Sequence, residues 1–369
     1  MKILVLNYEF PPLGGGASTV SYDISREYVK RGYMVDLVTM CYLNLPQFEK
    51  KKGINIYRVK CLRTRKDICY PWEQLSYLIS AKNFIKKQLI KNEYDICHTH
   101  FLVPTGILAL WLKKKYKIPY IITAHGSDVP GHNPDRFKIL HKFTKPIIKI
   151  ICKKAKWVIT SSECLKKEII NNVGCNNINL VRIPNGININ KYKPQKKKKI
   201  IFTSGRLHPS KGFQYLIRSI RRISLDYELH ICGDGPMMSK LINLAKNSKT
   251  KIIFHGWIDN RSKQYKNLIE SASIFILVSE RENASISLLE GMLSGCAVIT
   301  SNISGCSETM GSAGLKINPK SVKELKTAIE FLIKDANARL KFGELAIGRV
   351  LEQYDNTKIF NKYIKLIDG

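Results

Sequence analysis

Short runs of consecutive apolar, often β-branched residues alternate along the chain with longer segments whose apolar positions recur every three to four residues. In the first half the runs are KILVLN, MVDLVTM, INIYRV, DICHTH, YIITAHG, WVITSS and INLVRIP; in the second they are KIIFTSG, ELHICG, KIIFHGW, IFILVS and AVITSN. A run without polar alternation is a strand buried on both faces. Such strands separated by helices predict parallel sheets with helices on each side.

The stretch IPNGININKYKPQKKKK interrupts the alternation, because Pro184, Asn185-Gly186 and Pro194 break any regular element and a lysine run follows. It is the predicted domain boundary. The pattern reads as an α/β protein of two Rossmann-like, doubly wound domains facing across a cleft. The first spans residues 1–183, a linker covers 184–198, and the second spans 199–345. The closing segment 346–369 is helical by its period and is predicted to pack back on the first domain. Ligands of open parallel sheets bind at the carboxyl ends of the strands, where the strand order reverses.

Composition adds limits rather than detail. A chain of 369 residues suits two domains, and 44% hydrophobic with 24% charged residues is the balance of a folded protein. No apolar run approaches the ~18 residues of a membrane span, and the N-terminal run is too short for a signal peptide. The expectation is a cytoplasmic protein, at most resting on the inner face of the cytoplasmic membrane. Ten cysteines without a C-x-x-C pair predict reduced thiols and no structural zinc. The net charge of +32 draws anionic partners, whether nucleic acid, anionic lipid or phosphorylated substrate; it is equally what a Lys-, Ile- and Asn-rich composition yields.

Four stretches carry candidate chemistry. After the first strand, Gly14, Gly15 and Gly16 lead into a helix, so the backbone there can approach an anion at a helix N-terminus. The dinucleotide fingerprint G-x-G-x-x-G fails at Thr19, which argues against a nicotinamide-dependent dehydrogenase. His125 and Asp128 fall just past a strand end, and the histidine is a candidate hydrogen-bond partner or acid/base group. Arg206 and Lys211, framed by Gly205 and Gly212, follow another strand and suit a diphosphate. Finally, Glu282 precedes a short helix ending near Gly295, and Glu290 lies in its second turn. Eight residues at helical rise span about 12 Å, a length comparable with a sugar, a diphosphate and a ribose in line. Carboxylates suit vicinal hydroxyls, and the amides of Ala284, Ser285 and Ile286 between them can face phosphate oxygens.

Glu282 and Glu290, GRLHPSKG, HGSD, CGDGP at 232–236, FHGWI at 254–258 and IPNGI at 183–187 occur in one order along nearly the whole chain. Together they resemble the retaining glycosyltransferases of family 4, with the GT-B fold. The resemblance implies an N-terminal acceptor domain and a C-terminal domain for a nucleotide-diphosphate-sugar, UDP- or GDP-linked. Arg206 and Lys211 would neutralise the diphosphate, Glu282 would hold donor sugar hydroxyls and Glu290 the ribose. His125 would touch the sugar from the opposite wall, Gly15 and Gly16 would approach the phosphates, and backbone near Gly235 and Ile258 would border the base. Where the family often has Gly-Phe-Gly after the first glutamate, this chain has Asn283, Ala284 and Ser285.

The resemblance further implies transfer of a hexose-type sugar with retention to a hydroxyl of a glycan or lipid-linked acceptor, in assembly of lipopolysaccharide, capsule or exopolysaccharide. No D-x-D sequence occurs, so neither a metal nor another cofactor is expected. Residues 135–156, DRFKILHKFTKPIIKIICKKAK, mix basic and apolar positions around Pro146. They read as a peripheral contact with an anionic membrane or as a solvated helix with a lysine-rich face. The competing class is a non-enzymatic basic protein that binds anionic membrane or nucleic acid. Against nucleic acid, no recognition motif of suitable spacing is present.

Overall fold

The computed structural model describes residues 1–66, 68–132 and 134–369, with backbone alone for 134–139 and 304. The chain divides into two compact units, Met1–Ile183 with Phe360–Gly369, and Pro184–Ile359.

The first unit is built on β1 (Lys2–Leu6), α1 (Gly16–Lys30), β2 (Met34–Met40), β3 (Phe48–Lys51), β4 (Ile54–Val59), α2 (Pro71–Phe84), β5 (Ile96–His100), α3 (Thr105–Tyr116), β6 (Tyr120–Ala124), α4 (Pro134–Lys154), β7 (Trp157–Thr160), α5 (Glu163–Glu168) and β8 (Leu180–Arg182). Its sheet runs β3-β4-β2-β1-β5-β6-β7-β8. Every pairing is parallel except β3 with β4. Order reverses at β1, whose partners are β2 on one side and β5 on the other, so the loops after β1 and β5 diverge there. The antiparallel edge strand was not expected from an all-parallel reading. FEKK is polar and half exposed, and it pairs through a two-residue turn in which Lys52 and Gly53 both have positive φ, 51° and 83°.

The second unit comprises β9 (Lys198–Ser204), α6 (Phe213–Ile220), β10 (Glu228–Cys232), α7 (Met238–Ala245), β11 (Ile252–Phe254), α8 (Lys263–Ser271), β12 (Ala272–Leu277), α9 (Ile286–Leu293), β13 (Ala297–Ser301), α10 (Ser304–Met310), β14 (Gly314–Ile317), α11 (Val322–Lys334) and α12 (Ala336–Gln353). The sheet order is β11-β10-β9-β12-β13-β14, parallel throughout, with its reversal at β9 and β12. Helix α9 rests directly on β12, because Gly291 has no side chain: a Cβ there would lie 2.4 Å from the Phe275 ring.

The predicted linker does not behave as one. Tyr192 is fully buried, and Ile187 pairs with Asp355, so 184–197 folds as part of the second unit. Of the closing segment, Ala346 and Val350 are buried in the second unit's core, and α12 stays there. Only from Phe360, within α13 (Asn356–Asp368), does the chain rejoin the first unit. There Asn361 accepts from Arg31, and Asp368 accepts from Tyr33 at 2.6 Å.

Helix α4 runs through Pro146. Ile148, Ile151 and Cys152 face the core, whereas Phe143 and Ile150 are exposed among lysines; the side chains of 135–139 lie outside the described residues. Among the described residues no helix is long and apolar enough to cross a membrane. All ten cysteines are free thiols.

Candidate active site

In the second unit the loops leaving β9, β10 and β11 are packed backbone on backbone. Gly205 donates to the carbonyl of Cys232 at 3.0 Å, Gly233 to that of Gly256 at 2.7 Å, and Leu207 to that of Asp234 at 2.9 Å. A Cβ on Gly233 would lie 1.9 Å from the Gly205 carbonyl oxygen, and one on Gly235 would lie 2.6 Å from that of Leu207. Both glycines also have φ above 140°. What Gly235 approaches within the protein is therefore a neighbouring loop. Ile258 is half-buried against the core beneath these loops.

The strand-order reversal brings the β9–α6 and β12–α9 loops together. Glu280 donates its amide to the Ser210 carbonyl at 2.8 Å. Gly212, at φ 77°, passes so close that its Cβ would stand 2.2 Å from the Val278 carbonyl oxygen. This juxtaposition delivers Lys211 to Glu282, whose carboxylate accepts from the ammonium in an ion pair. Burial lowers the Lys211 pKa, but Glu282 more than offsets it, so the ammonium is held above its usual range. The Arg206 charge acts on the same ammonium in the opposite sense, which puts two cations and one carboxylate at this point.

The Glu282–Ser285 turn is fixed from two sides. Asn185 donates its side-chain amide to the Ala284 carbonyl at 2.9 Å, and Gly305 donates its backbone amide to the Glu282 carbonyl at 3.0 Å. Asn283 is buried, and its carbonyl leaves no room for a side chain on Gly305. Ser285 caps α9 by accepting from Leu288. The first-turn amides of α9, Ile286 included, point back along the helix axis toward the Glu282–Ser285 turn, as helix geometry requires.

Glu290 is placed differently. Its carboxylate is 2% exposed. Oε1 accepts from Lys191 Nζ at 2.9 Å, Tyr192 OH at 2.9 Å and Asn260 Nδ2 at 2.8 Å, while Oε2 accepts from Tyr265 OH at 2.9 Å. Ser204, at the end of β9, lies 2.7 Å from the Tyr265 hydroxyl and extends this network. Burial, then the Glu290 charge, pushes both tyrosines above their usual range, so each remains a donor. Sequence reading found Glu282 and Glu290 but missed Asn185, Lys191, Tyr192, Asn260 and Tyr265. The first three lie in the stretch taken as a linker, and Tyr265 is masked by the apolar period of α8.

In the first unit Gly14 has φ 82° and sits against Glu9, whereas Gly15 and Gly16 have open space where a Cβ would be. These two open α1 at the end of β1, beside the strand-order reversal. His125 follows β6. Its Nε2 lies 3.1 Å from Nδ1 of His100, and His100 stacks on His98 with ring centroids 4.4 Å apart. His98 is held by Tyr28 at 2.9 Å and Thr123 at 2.8 Å. Burial drives His98 and His125 down to about 3 and His100 well below its usual value. Burial thus favours the uncharged form of all three rings at neutral pH. Asp128 accepts from the amides of Leu102 at 2.7 Å and His125 at 3.0 Å, stapling the loops after β5 and β6.

Comparisons with known proteins agree with this division. Residues 14–191 match the family described as Glycosyltransferase Family 4, and residues 185–349 match Glycosyl transferases group 1. An uncharacterized glycosyltransferase of Methanocaldococcus jannaschii is 27% identical, covering 96% of this chain and 94% of its own. The Escherichia coli UDP-Gal:alpha-D-GlcNAc-diphosphoundecaprenol alpha-1,3-galactosyltransferase is 26% identical over 63% of each chain. Among solved structures, Anabaena HepE in complex with UDP-glucose superposes with a TM-score of 0.80 at 18% identity, covering 100% of this chain and 99% of that one.

Proposed function

Since the chain belongs to the family 4 glycosyltransferases and has their GT-B fold, we propose that it is a retaining, metal-independent hexosyltransferase using a UDP- or GDP-sugar. The second unit binds the donor and the first the acceptor, a glycan or lipid-linked hydroxyl in cell-surface polysaccharide assembly. The observation that carries this reading is the Lys211–Glu282 pair at the strand-order reversal, with Arg206 on the same loop and the N-terminus of α9 alongside.

Arg206 and Lys211 meet the charge that grows on the leaving nucleoside diphosphate, a stabilisation that operates most strongly in the transition state. The first-turn amides of α9 face its phosphate oxygens, and Glu282 orients Lys211 while accepting from donor sugar hydroxyls. The acceptor hydroxyl attacks the anomeric carbon on the face the phosphate leaves, and the departing phosphate takes its proton. Arg206 and Lys211, with the first-turn amides of α9, would do on the diphosphate what a metal does elsewhere. The E. coli relative, whose own acceptor is a diphosphoundecaprenol-linked sugar, supports a lipid-linked acceptor here. The lysine-rich face of α4, with Phe143 and Ile150 exposed, suits a contact with anionic membrane. A non-enzymatic basic protein is not favoured, because that reading leaves both family matches without a cause.

The test is thermal melting with UDP, GDP, ADP and dTDP, each with and without EDTA. A nucleotide at 100 times its dissociation constant stabilises the fold by about 2.7 kcal/mol. A shift with UDP or GDP that survives EDTA is expected. A melting point moved by anionic lipid or nucleic acid but by no nucleotide would overturn the assignment.

A further inference from the structure

Glu290 has no idle oxygen. Four donors from the protein converge on its carboxylate, three of them on Oε1. A carboxylate oxygen offers about two lone-pair positions and Oε1 already meets three donors, so a ribose diol that hydrogen-bonds to Oε1 must take the place of a donor already there. The four donors are not equally replaceable. Tyr192 and Tyr265 are buried core residues, with Tyr192 also within 2.9 Å of the Asn260 carbonyl and Tyr265 bonded to Ser204. Lys191 comes from the solvent side, is 22% exposed, and its ammonium sits over the Tyr192 ring at 4.9 Å. A lysine on a flexible stem regains full hydration when it swings out, whereas the two tyrosine rings are packed in the core and cannot move aside to admit a diol.

We propose that Lys191 is a displaceable stand-in for the donor ribose: its ammonium neutralises Glu290, and the incoming 2′,3′-diol replaces it. This rests on the donor-site reading of the second unit. It assigns Lys191 a role in setting nucleotide affinity, since each binding event exchanges an ion pair for two hydroxyl bonds. The linker-derived residue thereby weakens donor binding, and so sets how readily the spent nucleotide leaves.

Among the described residues the groups bonded to Glu290 are those named above: Lys191 is the one cation among them and the others are neutral donors, while the Asp259 carboxylate also feels the Lys191 charge. Replacing Lys191 with Met therefore acts mainly on the form in which the pair exists. The unliganded protein loses stability, the nucleotide-bound protein does not, and the difference appears as tighter binding. Glu290 keeps three neutral donors and Lys191 is not deeply buried, so the gain should be modest, roughly three- to tenfold in Kd.

The experiment is calorimetric titration of UDP and GDP into wild type, Lys191→Met and Lys191→Arg, repeated with the 2′,3′-dideoxy nucleotide. The expected result is tighter binding in Lys191→Met, equal or weaker binding in Lys191→Arg, and no gain in Lys191→Met with the dideoxy nucleotide. Weaker or unchanged binding in Lys191→Met would overturn the exchange and make Lys191 a fixed part of the site. A gain that persists with the dideoxy nucleotide would overturn it too. Should wild type bind neither UDP nor GDP, it is the donor-site reading itself that fails. Lys191→Arg tests the sign independently, because it retains the cation and its fold.

Discussion

Lowering the pH from 7 to 5.5 should weaken the first unit by an amount the histidine row fixes. His98 and His125 are held neutral by burial, with pKa values near 3 against an ordinary value of 6.5. A group whose folded pKa lies below its unfolded one binds its proton only in the unfolded chain between the two values. Stability therefore rises with pH across that window and is lost as pH falls below about 6.5. Between pH 7 and 5.5 each such histidine removes about 1.3 kcal/mol, so the two together remove about 2.5 kcal/mol. His100, also shifted down by burial, adds in the same direction. Ending at pH 5.5 keeps the usual carboxylate range out of the comparison. Three of the four tryptophans, Trp72, Trp111 and Trp157, lie in the first unit, so urea unfolding followed by tryptophan fluorescence reports mainly on it. The measurement compares midpoints at pH 7, 6.25 and 5.5 for wild type and His125→Asn, with a shallower slope expected in the variant. His141, also in the first unit and shifted down by burial, adds in the same direction. A midpoint that does not move over this range, or moves upward on acidification, would refute the claim that these rings are buried uncharged.

Lys211→Ala should lower turnover by about 10² to 10³, the loss typical of removing one preorganised charge contact to a transition state. Its melting point should fall by only a few degrees, because both members of the pair retain some access to water; turnover within threefold of wild type would detach Lys211 from the chemistry. Gly291→Ala places a methyl group 2.4 Å from the Phe275 ring, so α9 must lift off β12. The expected cost is about 1–3 kcal/mol in denaturant unfolding, accompanied by weaker nucleotide binding as Glu290 shifts; an unaffected unfolding midpoint would mean that helix and strand have slack.

The alternation of apolar runs and helical periods was enough to place both sheets, because strands such as ILVL and IFIL are buried on both faces and carry no competing pattern. It failed where the side chains are polar or few. FEKK gives no apolar signal, and its position is set by the Lys52-Gly53 turn and by pairing with Ile54–Val59. GLKI is a four-residue edge strand and was likewise passed over. The charged members of the second unit's site were legible because each stands next to a glycine, a strand end or a helix start. Their partners were not. Lys191 and Tyr192 reach Glu290 across nearly a hundred residues, and nothing in a local pattern records a contact of that separation. The same holds for Asn185, whose motif is visible but whose attachment to Ala284 is not.

The backbone-on-backbone packing at Gly212, Gly233 and Gly235 bears on how this enzyme could be re-engineered. Those positions admit no side chain, so libraries that vary them will sample mostly misfolded protein. The turn of Asn283, Ala284 and Ser285 is anchored through its carbonyls, at Ala284 by Asn185 and, one residue earlier, at Glu282 by Gly305, rather than by side-chain packing alone. On the proposed function, donor scope is best sought at those three codons, with the glycine frame left untouched.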